Sequence, residues 1–202
     1  MAMYFGATAV GLKTRDAAIL ATDRRMAYGN FVMSRNAKKI FLLGRIGIAF
    51  SGLYGDLRGI YRVIEAEYNY MKLSLGKEPS VYSIAKRLSL ILYSYKPMPF
   101  MVEVLVAGVD EKGPRLYVLD SLGSITEEPY AAVGSGATLA LGYLEDAYKE
   151  DASLDEAIEI AYRAVKNAMR RDASTGDGID VVGITRDRIV EKSFKLKLVA
   201  EE

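Results

Sequence analysis

The chain has 202 residues, half of them apolar and 26% charged, a composition typical of one globular domain and not of a disordered segment. Lys and Arg (27) nearly balance Asp and Glu (26), which excludes a strong general attraction for nucleic acid or for an anionic membrane surface. Because the chain has neither His nor Cys, Ser-His-Asp and Cys-His catalysis, zinc sites built on these residues, disulfides and thiol redox chemistry are excluded as well.

The first half of the chain alternates short strands with two helices. Apolar runs between turn residues predict two hairpins, residues 7–12 with 17–22 and residues 39–43 with 46–51. Apolar residues recur every three or four positions from Tyr54 to about Leu75, which predicts a helix closed by Gly76. A second helix is predicted to begin after Ser80, a typical N-cap residue, and to end before Pro97.

The second half repeats this alternation. Strands are predicted at residues 102–109 and 115–119, a strand pair near 125–133, helices at 137–148 and 153–171, and strands at 180–185 and 189–194. Ser153 and Glu156 form a capping box at the start of the last helix. The order predicts an α/β (α+β) fold, a four-layer α-β-β-α sandwich in which helix pairs cover two stacked antiparallel sheets.

The N-terminal sequence MAMYFGATAVGL has no basic start and no long apolar stretch, so a secretory signal is not expected. The longest apolar runs, such as residues 46–50 and 104–109, are far shorter than the roughly 20 residues of a membrane helix. We therefore predict a cytoplasmic protein that does not engage a membrane.

Six short motifs occur in order along the chain. They are GATAVGL at residues 6–12, ATDRR at 21–25, NAKKI at 36–40, SGLYGD at 51–56, GSG at 134–136 and RDASTGDGID at 171–180. In this order and at these spacings the chain resembles β-type subunits of the archaeal 20S proteasome core. The resemblance covers nearly the whole chain.

The resemblance implies an N-terminal nucleophile hydrolase fold and a threonine protease. In this family β subunits form seven-membered rings stacked between rings of α subunits, and a short propeptide is removed autocatalytically to expose a threonine. Its α-amine, with a pKa of about 7.7 to 8.0, helps to move the proton, which suits a chain without histidine. The implied partners are α subunits, other β subunits, unfolded polypeptide substrates and a regulatory ATPase that acts through the α ring, with no nucleic acid, no cofactor and no metal.

The resemblance also assigns roles to individual residues. Lys39 matches the catalytic lysine, whose charge lowers the proton affinity of the nucleophile, and Asp23 matches the acid that holds this lysine. Gly52 matches the residue whose backbone N–H forms the oxyanion hole, where one lost donor costs about 100- to 1,000-fold in rate. The polar group around the amine of the nucleophile is matched by Ser135, Asp172 and Thr175. The apolar, narrow pocket for the side chain before the cut bond is matched by Met26, Ala37 and Phe50.

One position departs from the family pattern. The nucleophile of the family lies four residues before Gly11 and 32 before Lys39, and both counts end at Ala7. A methyl group cannot attack a carbonyl carbon, so this register predicts a catalytically silent subunit that completes a mixed ring with an active paralogue. Residues 1–6 are then expected to be a short leader, and residues 7–202 a single domain.

Other interpretations stay open at this stage. Thr8 becomes the nucleophile if residues 1–7 are removed, although a shift of one residue along a strand turns the side chain to the opposite face unless a bulge absorbs it. Ala7 could also be an engineered replacement of a threonine. Finally, the fold could serve an N-terminal nucleophile amidohydrolase or a binding domain outside the proteasome, because fold alone does not determine function.

Overall fold

A computed structural model describes residues 6–195 and contains twelve strands and four helices in this range. The elements of the first half are β1 (Thr8–Lys13), β2 (Ala17–Asp23), β3 (Met26–Tyr28), β4 (Phe31–Ser34), β5 (Ile40–Leu43), β6 (Ile46–Gly52), α1 (Tyr54–Leu75) and α2 (Val81–Ser94). Those of the second half are β7 (Val102–Asp110), β8 (Gly113–Leu119), β9 (Ile125–Glu127), β10 (Tyr130–Gly134), α3 (Ala137–Ala147), α4 (Leu154–Met169), β11 (Gly178–Thr185) and β12 (Ile189–Lys195).

The first sheet has the strand order β10-β1-β2-β11-β12, and every neighbouring pair is antiparallel. One of its faces is covered by α3 and α4. Side chains such as Val10 and Ile19 from the strands pack there against Ala161 and Val165 of α4 in one buried cluster. Along each central strand, every second side chain points to this face, and most of these side chains are apolar. This pattern is expected when a layer of helices covers one side of a sheet.

The second sheet has the order β5-β6-β7-β8-β9 and is covered by α1 and α2. Ile48 and Val106 of its central strands pack against Leu57, Ile60 and Leu88 of the helices. A third cluster, which includes Ala9 and Leu20 of the first sheet and Ala49 and Leu105 of the second, fills the space between the sheets. The predicted four-layer α-β-β-α sandwich is therefore confirmed.

Local signals determine where the helices end. Gly76 closes α1 in the left-handed conformation, with a φ of 66°, where a residue with a Cβ would be strained. The Ser80 hydroxyl accepts a hydrogen bond from the Ser83 N–H at the start of α2, and Ser153 and Glu156 form the predicted capping box at the start of α4. The predicted ends at residues 148 and 171 exceed the observed ends by one and two residues.

Two strand predictions need correction. β9 and β10 do not pair with each other, because β9 extends the second sheet beside β8 while β10 lies beside β1 in the first. The chain crosses between the sheets at residues 128 and 129, where the Glu128 N–H bonds to the Leu116 carbonyl and the Pro129 carbonyl accepts from the Lys13 N–H. The small hairpin β3–β4 was not predicted at all.

Within the described range, no helix combines the length and the apolar content that crossing a membrane requires. Of the predicted leader, only Gly6 belongs to this range, and residues 1–5 lie outside the described residues, as do residues 196–202. The division into a leader and a domain stays a prediction.

Candidate active site

The candidate site lies where several strands of both sheets end. β1 begins at Thr8 and β2 ends at Asp23 in the first sheet, while β6 ends at Gly52 in the second. The turn after β10 and the loop at residues 170–177 before β11 close the same end of the sandwich. The topology therefore brings together motifs that are up to about 170 residues apart in the chain.

A buried ion pair forms the centre of this region. The Lys39 ammonium lies 2.7 Å from Asp23 Oδ1, and the side chains are 4% and 0% exposed. The same oxygen accepts the Thr8 N–H at 3.0 Å. Asp23 Oδ2 accepts the backbone N–H groups of Arg25 at 2.9 Å and of Gly176 at 3.0 Å. One carboxylate thus joins β1, β2, the segment before β5 and the loop before β11, and its four bonds satisfy its acceptor capacity.

A second polar cluster lies beside the ion pair. The Asp172 carboxylate accepts hydrogen bonds from the hydroxyls of Ser135 and Thr175, each at 2.5 Å and both to Oδ2. Thr175 Oγ1 is in turn 2.7 Å from the hydroxyl oxygen of Thr8. The hydroxyl of Thr8 is therefore connected to a carboxylate through one intervening hydroxyl.

Ala7 directly precedes Thr8, lies beside Ser135 of the second cluster and is 1% exposed. Its carbonyl oxygen lies 3.3 Å from the hydroxyl oxygens of both Ser51 and Ser135. Because the single proton of Ser135 goes to Asp172 at 2.5 Å, Ser51 is the donor to this carbonyl. The groups expected around a nucleophile are thus present in space, but the side chain at this position is a methyl group.

The side chain of Thr8 lies on the helix side of the first sheet. It is wholly buried, and a Cβ on Gly136 would come within 2.2 Å of its hydroxyl oxygen. Val10 shares this face, whereas Ala9 packs between the two sheets. β1 pairs with both neighbouring strands in continuous register from Ala9 to Leu12, so the alternation of faces is kept there.

A narrow cleft lies beside Gly6 and Lys39. Its walls are formed by Gly6, Arg25, Met26, Ala27, Tyr28, Lys39, Gly52, Leu53 and Tyr54. Gly52 has a φ of +121°, and a Cβ there would lie 2.1 Å from the Met101 carbonyl oxygen, so this position requires glycine.

The three predicted pocket residues occupy different surroundings. Met26 lines the cleft. Phe50 is fully buried in the core beneath α1 and α2, edge to face with Phe41 at 6.0 Å, and Ala37 is buried as well. The assignment of Phe50 and Ala37 to a substrate pocket stays a prediction.

Arg25 is a site residue that the sequence reasoning missed. Its Nε donates to Asp177 Oδ2 at 2.7 Å, and a terminal nitrogen donates to the Ala173 carbonyl at 2.7 Å. The hydrogen bond with Asp177 raises the pKa of the guanidinium above its ordinary value, against the opposing effect of burial. Asp177 has a φ of +66°, unusual for a residue with a side chain. Arg25 therefore holds the loop that carries Asp172 and Thr175.

The arrangement is suited to acid-base chemistry on a carbonyl group. It offers a buried ammonium, a carboxylate with bound hydroxyls, and a glycine, Gly52, in the wall of the cleft. In the described part of the chain, no three acidic side chains are grouped closely enough to hold a metal ion. A chemical step on a peptide would still require a nucleophile, and Ala7 supplies none.

Comparison with known proteins identifies a family that covers most of the chain. A family model described as proteasome subunit matches residues 3–184, which include every candidate site residue. The chain is 47% identical over 192 residues to proteasome subunit beta 1 of Desulfurococcus amylolyticus, and the match covers 95% of each chain. It is 49% identical over 180 residues to proteasome subunit beta 1 of Ignicoccus hospitalis, covering 89% of this chain and 90% of the relative.

Proposed function

The chain belongs to the proteasome subunit family and is of the β type, and from this premise we propose that it is a structural, catalytically silent subunit of the core particle. It occupies a place in a seven-membered β ring beside an active paralogue, and this ring stacks against α subunits. The paralogue cleaves the unfolded polypeptides that a regulatory ATPase delivers through the α ring. The observation that carries the proposal is that residue 7, whose carbonyl oxygen lies 3.3 Å from the hydroxyls of Ser51 and Ser135, is an alanine and has only a methyl group as its side chain.

The hydrogen bonds of the groups around residue 7 support the absence of catalytic activity. Asp23 uses its acceptor capacity on Lys39 and three backbone N–H groups, one of which belongs to Thr8. Hydrolysis of the bond after Gly6 requires a hydroxyl on residue 7, which is absent. The leader, residues 1–6, therefore stays attached, and the roles of Lys39, Asp23, Gly52, Ser135, Asp172 and Thr175 become structural.

One observation favours a second candidate, an active protease with Thr8 as nucleophile. The Ala7 carbonyl accepts a hydrogen bond from the Ser51 hydroxyl, and the Thr8 hydroxyl is connected to Asp172 through Thr175. In this case Thr8 Oγ1 attacks the Ala7 carbonyl carbon, the C–N bond breaks, and the nitrogen takes up the hydroxyl proton. Water then hydrolyses the ester and leaves a free amine on Thr8. The full burial of Thr8 on the helix side argues against attack on an external peptide.

Intact-mass measurement tests the proposal. The chain is co-expressed with α subunits and the active paralogue, the particle is purified, and the mass of this chain is measured together with hydrolysis of a fluorogenic peptide. For the peptidase assay the paralogue carries an inactivating substitution of its own nucleophile. We expect residues 1–6 to remain attached and this chain to contribute no hydrolysis.

The variant Thr8→Ala separates the two candidates. Under the proposal it changes neither the mass pattern at the N-terminus nor the peptidase rate. Loss of residues 1–7 in the parent chain together with activity that disappears in Thr8→Ala would establish Thr8 as the nucleophile and overturn the proposal.

A further inference from the structure

Glu103 is a carboxylate close to the candidate site that no motif of the sequence indicates. It lies in β7, directly opposite Ser51 of β6. Val104 packs beneath the helices and Leu105 packs between the sheets, so the alternation of side chains turns Glu103 towards the first sheet. There its Oε2 accepts the backbone N–H of Gly134 at 2.7 Å. This side chain therefore links the second sheet to β10 of the first.

Gly134 is the point at which β10 touches residue 7. Its φ is +96°, and a Cβ there would lie 2.1 Å from the Ala7 carbonyl oxygen and 2.2 Å from Ser51 Oγ. The hydroxyl oxygen of the next residue, Ser135, lies 3.3 Å from the same carbonyl oxygen, and this hydroxyl donates to Asp172 at 2.5 Å. A shift of Gly134 would therefore move Ser135 relative to residue 7.

The bond to Glu103 matters because β10 is an outer strand. In the first sheet β10 has a neighbouring strand, β1, on one side only, and β10 ends at Gly134. The carboxylate of Glu103 reaches this end from the other sheet. A hydrogen bond with an ionised acceptor is roughly twice as strong as one between neutral groups. We therefore expect this bond to fix the end of β10 more firmly than the pairing with β1 does alone.

We propose that Glu103 is a positioning residue: it holds the end of β10 so that Ser135 lies beside residue 7, where it favours attack by a hydroxyl at that position. This inference rests on the proposed function, because the parent chain lacks that hydroxyl and the effect on the chemistry appears only in Ala7→Thr. In that variant Oγ1 of residue 7 attacks the Gly6 carbonyl carbon, the C–N bond breaks, and the nitrogen takes up the hydroxyl proton. Water then hydrolyses the ester. Glu103 acts on this reaction through Gly134 and Ser135.

Two substitutions of Glu103 separate its hydrogen bond from other effects of a change at this position. Glu103→Gln keeps an acceptor oxygen, whereas Glu103→Met removes the acceptor and keeps a side chain of similar length. Glu191→Met is the matched control, because Glu191 is exposed in β12, the strand at the opposite edge of the same sheet. Hydrogen exchange of the Gly134 amide is measured by mass spectrometry in assembled particles of the parent chain and of each variant.

The exchange measurement does not depend on catalytic activity. We expect the Gly134 amide to exchange at least about 10-fold faster in Glu103→Met than in the parent, because its acceptor is gone. Glu103→Gln and Glu191→Met should both exchange at nearly the parent rate.

The same substitutions are then made in Ala7→Thr, in particles whose active paralogue carries an inactivating substitution of its own nucleophile. Cleavage after Gly6 and hydrolysis of a fluorogenic peptide are followed. Glu103→Met should lower the cleavage rate and the kcat of the cut chain by about 10-fold each, with little change in KM, because a displaced Ser135 affects the reaction more than peptide binding. Glu103→Gln should restore most of both rates.

Three results would overturn the inference. The first is an unchanged exchange rate of the Gly134 amide in Glu103→Met. The second is faster exchange without a change in cleavage or kcat, which would give Glu103 a structural role only. The third is an Ala7→Thr chain that is neither cut nor active, since Ser135 is then positioned for no reaction. By contrast, a parent chain that has lost residues 1–6 or 1–7 contradicts the proposed function, so the two failures are recognised separately.

Discussion

Two regions of the molecule contain ion pairs of nearly the same length in very different surroundings. In the buried network beneath residues 7 and 8, Lys39 lies 2.7 Å from Asp23, and the two side chains are 4% and 0% exposed. At the C-terminal end of α1, Lys72 lies 2.6 Å from Glu78 of the loop before α2, and the side chains are 51% and 56% exposed. Tyr68 also donates a hydrogen bond to Glu78. Distance alone therefore does not tell how much either pair matters.

The difference bears on whether the residues of a catalytic site can be retained for stability alone. Removal of one partner from a buried pair leaves an unpaired charge out of reach of water and destabilises a protein by about 3 to 5 kcal/mol. An exposed pair contributes little, because water solvates each ion when its partner is gone. Asp23 and Lys39 would thus be retained for stability even in a chain that never cleaves a peptide. Their presence is no proof of activity.

Ala7→Thr is the sharpest test of whether the buried network still supports catalysis. We expect cleavage after Gly6 and peptide hydrolysis at least about 100-fold above the parent, because the lysine, the hydroxyl cluster and Gly52 already surround this position. Intact mass and a fluorogenic peptide assay measure both effects, on assembled particles whose active paralogue carries an inactivating substitution of its own nucleophile. Ala7→Val provides the control, since it has nearly the same shape without the hydroxyl. Equal activity in the two variants would mean that the network is structural only.

Asp23→Asn tests the stability of the buried network. The amide keeps the shape but leaves the Lys39 ammonium buried without a counter-charge, so the free energy of unfolding should fall by about 3 to 5 kcal/mol. Urea unfolding of the purified chain measures this change. The double variant Asp23→Asn with Lys39→Met removes both charges and should recover part of the loss. If the double variant is less stable than the single one, the unpaired charge is not the cause.

Arg25→Lys tests how firmly the loop before β11 is held. Lysine keeps the charge but cannot donate to both Asp177 and the Ala173 carbonyl from one planar group, so we expect a loss of about 2 kcal/mol in urea unfolding. Arg35→Lys is the matched control, because Arg35 lies 3.8 Å from the same aspartate and is 70% exposed. Equal effects of both substitutions would contradict the distinction between buried and exposed partners.

Glu78→Gln should give the smallest loss of stability. The loss should be seen near neutral pH and should disappear at acidic pH. Hydrogen bonds from Lys72 and Tyr68 lower the pKa of Glu78 below its ordinary value of 4.5. A carboxyl whose pKa is lower in the folded chain stabilises the fold above its unfolded pKa, and this contribution is lost as the pH falls through the folded pKa.

Thermal unfolding from pH 6 to pH 3 measures the contribution of Glu78. The parent should exceed the variant in Tm by about 1 to 2 °C at pH 6, and the two curves should converge by about pH 3. A gap that stays constant over this range would show that the carboxyl charge is not involved.

Local signals in the sequence were enough to predict much of the fold. The ends of the helices at Gly76 and Ser153 are determined by neighbouring residues, and so are the hairpins β1–β2 and β5–β6. The pairing of β9 with β10 was wrong because neighbours along the chain are not always neighbours in a sheet. The hairpin β3–β4 was missed because its strands have only three and four residues and are largely exposed.

The motifs predicted which residues form the candidate site, but not all of the contacts that hold it together. The motifs named Asp23, Lys39 and the residues of the Asp172 cluster, which do lie together in space. They could not give the contact between Arg25 and Asp177, because these residues are 152 positions apart and no local pattern encodes their distance. The position of Gly6 in the wall of the cleft, close to Ser174, could likewise not be predicted, because these residues are far apart in the chain.

The strand order of the two sheets has a consequence for synthesis on the ribosome. The second sheet uses only residues 40–127, whereas the first joins β1 and β2 to β10, β11 and β12. At about 5 to 20 residues per second, the β1–β2 hairpin must wait roughly ten seconds or more after it emerges before its neighbours β10 and β11 have been made. During that time both edges of the hairpin, residues 8–23, are unpaired, so this segment is where protection from pairing with other nascent chains would matter most.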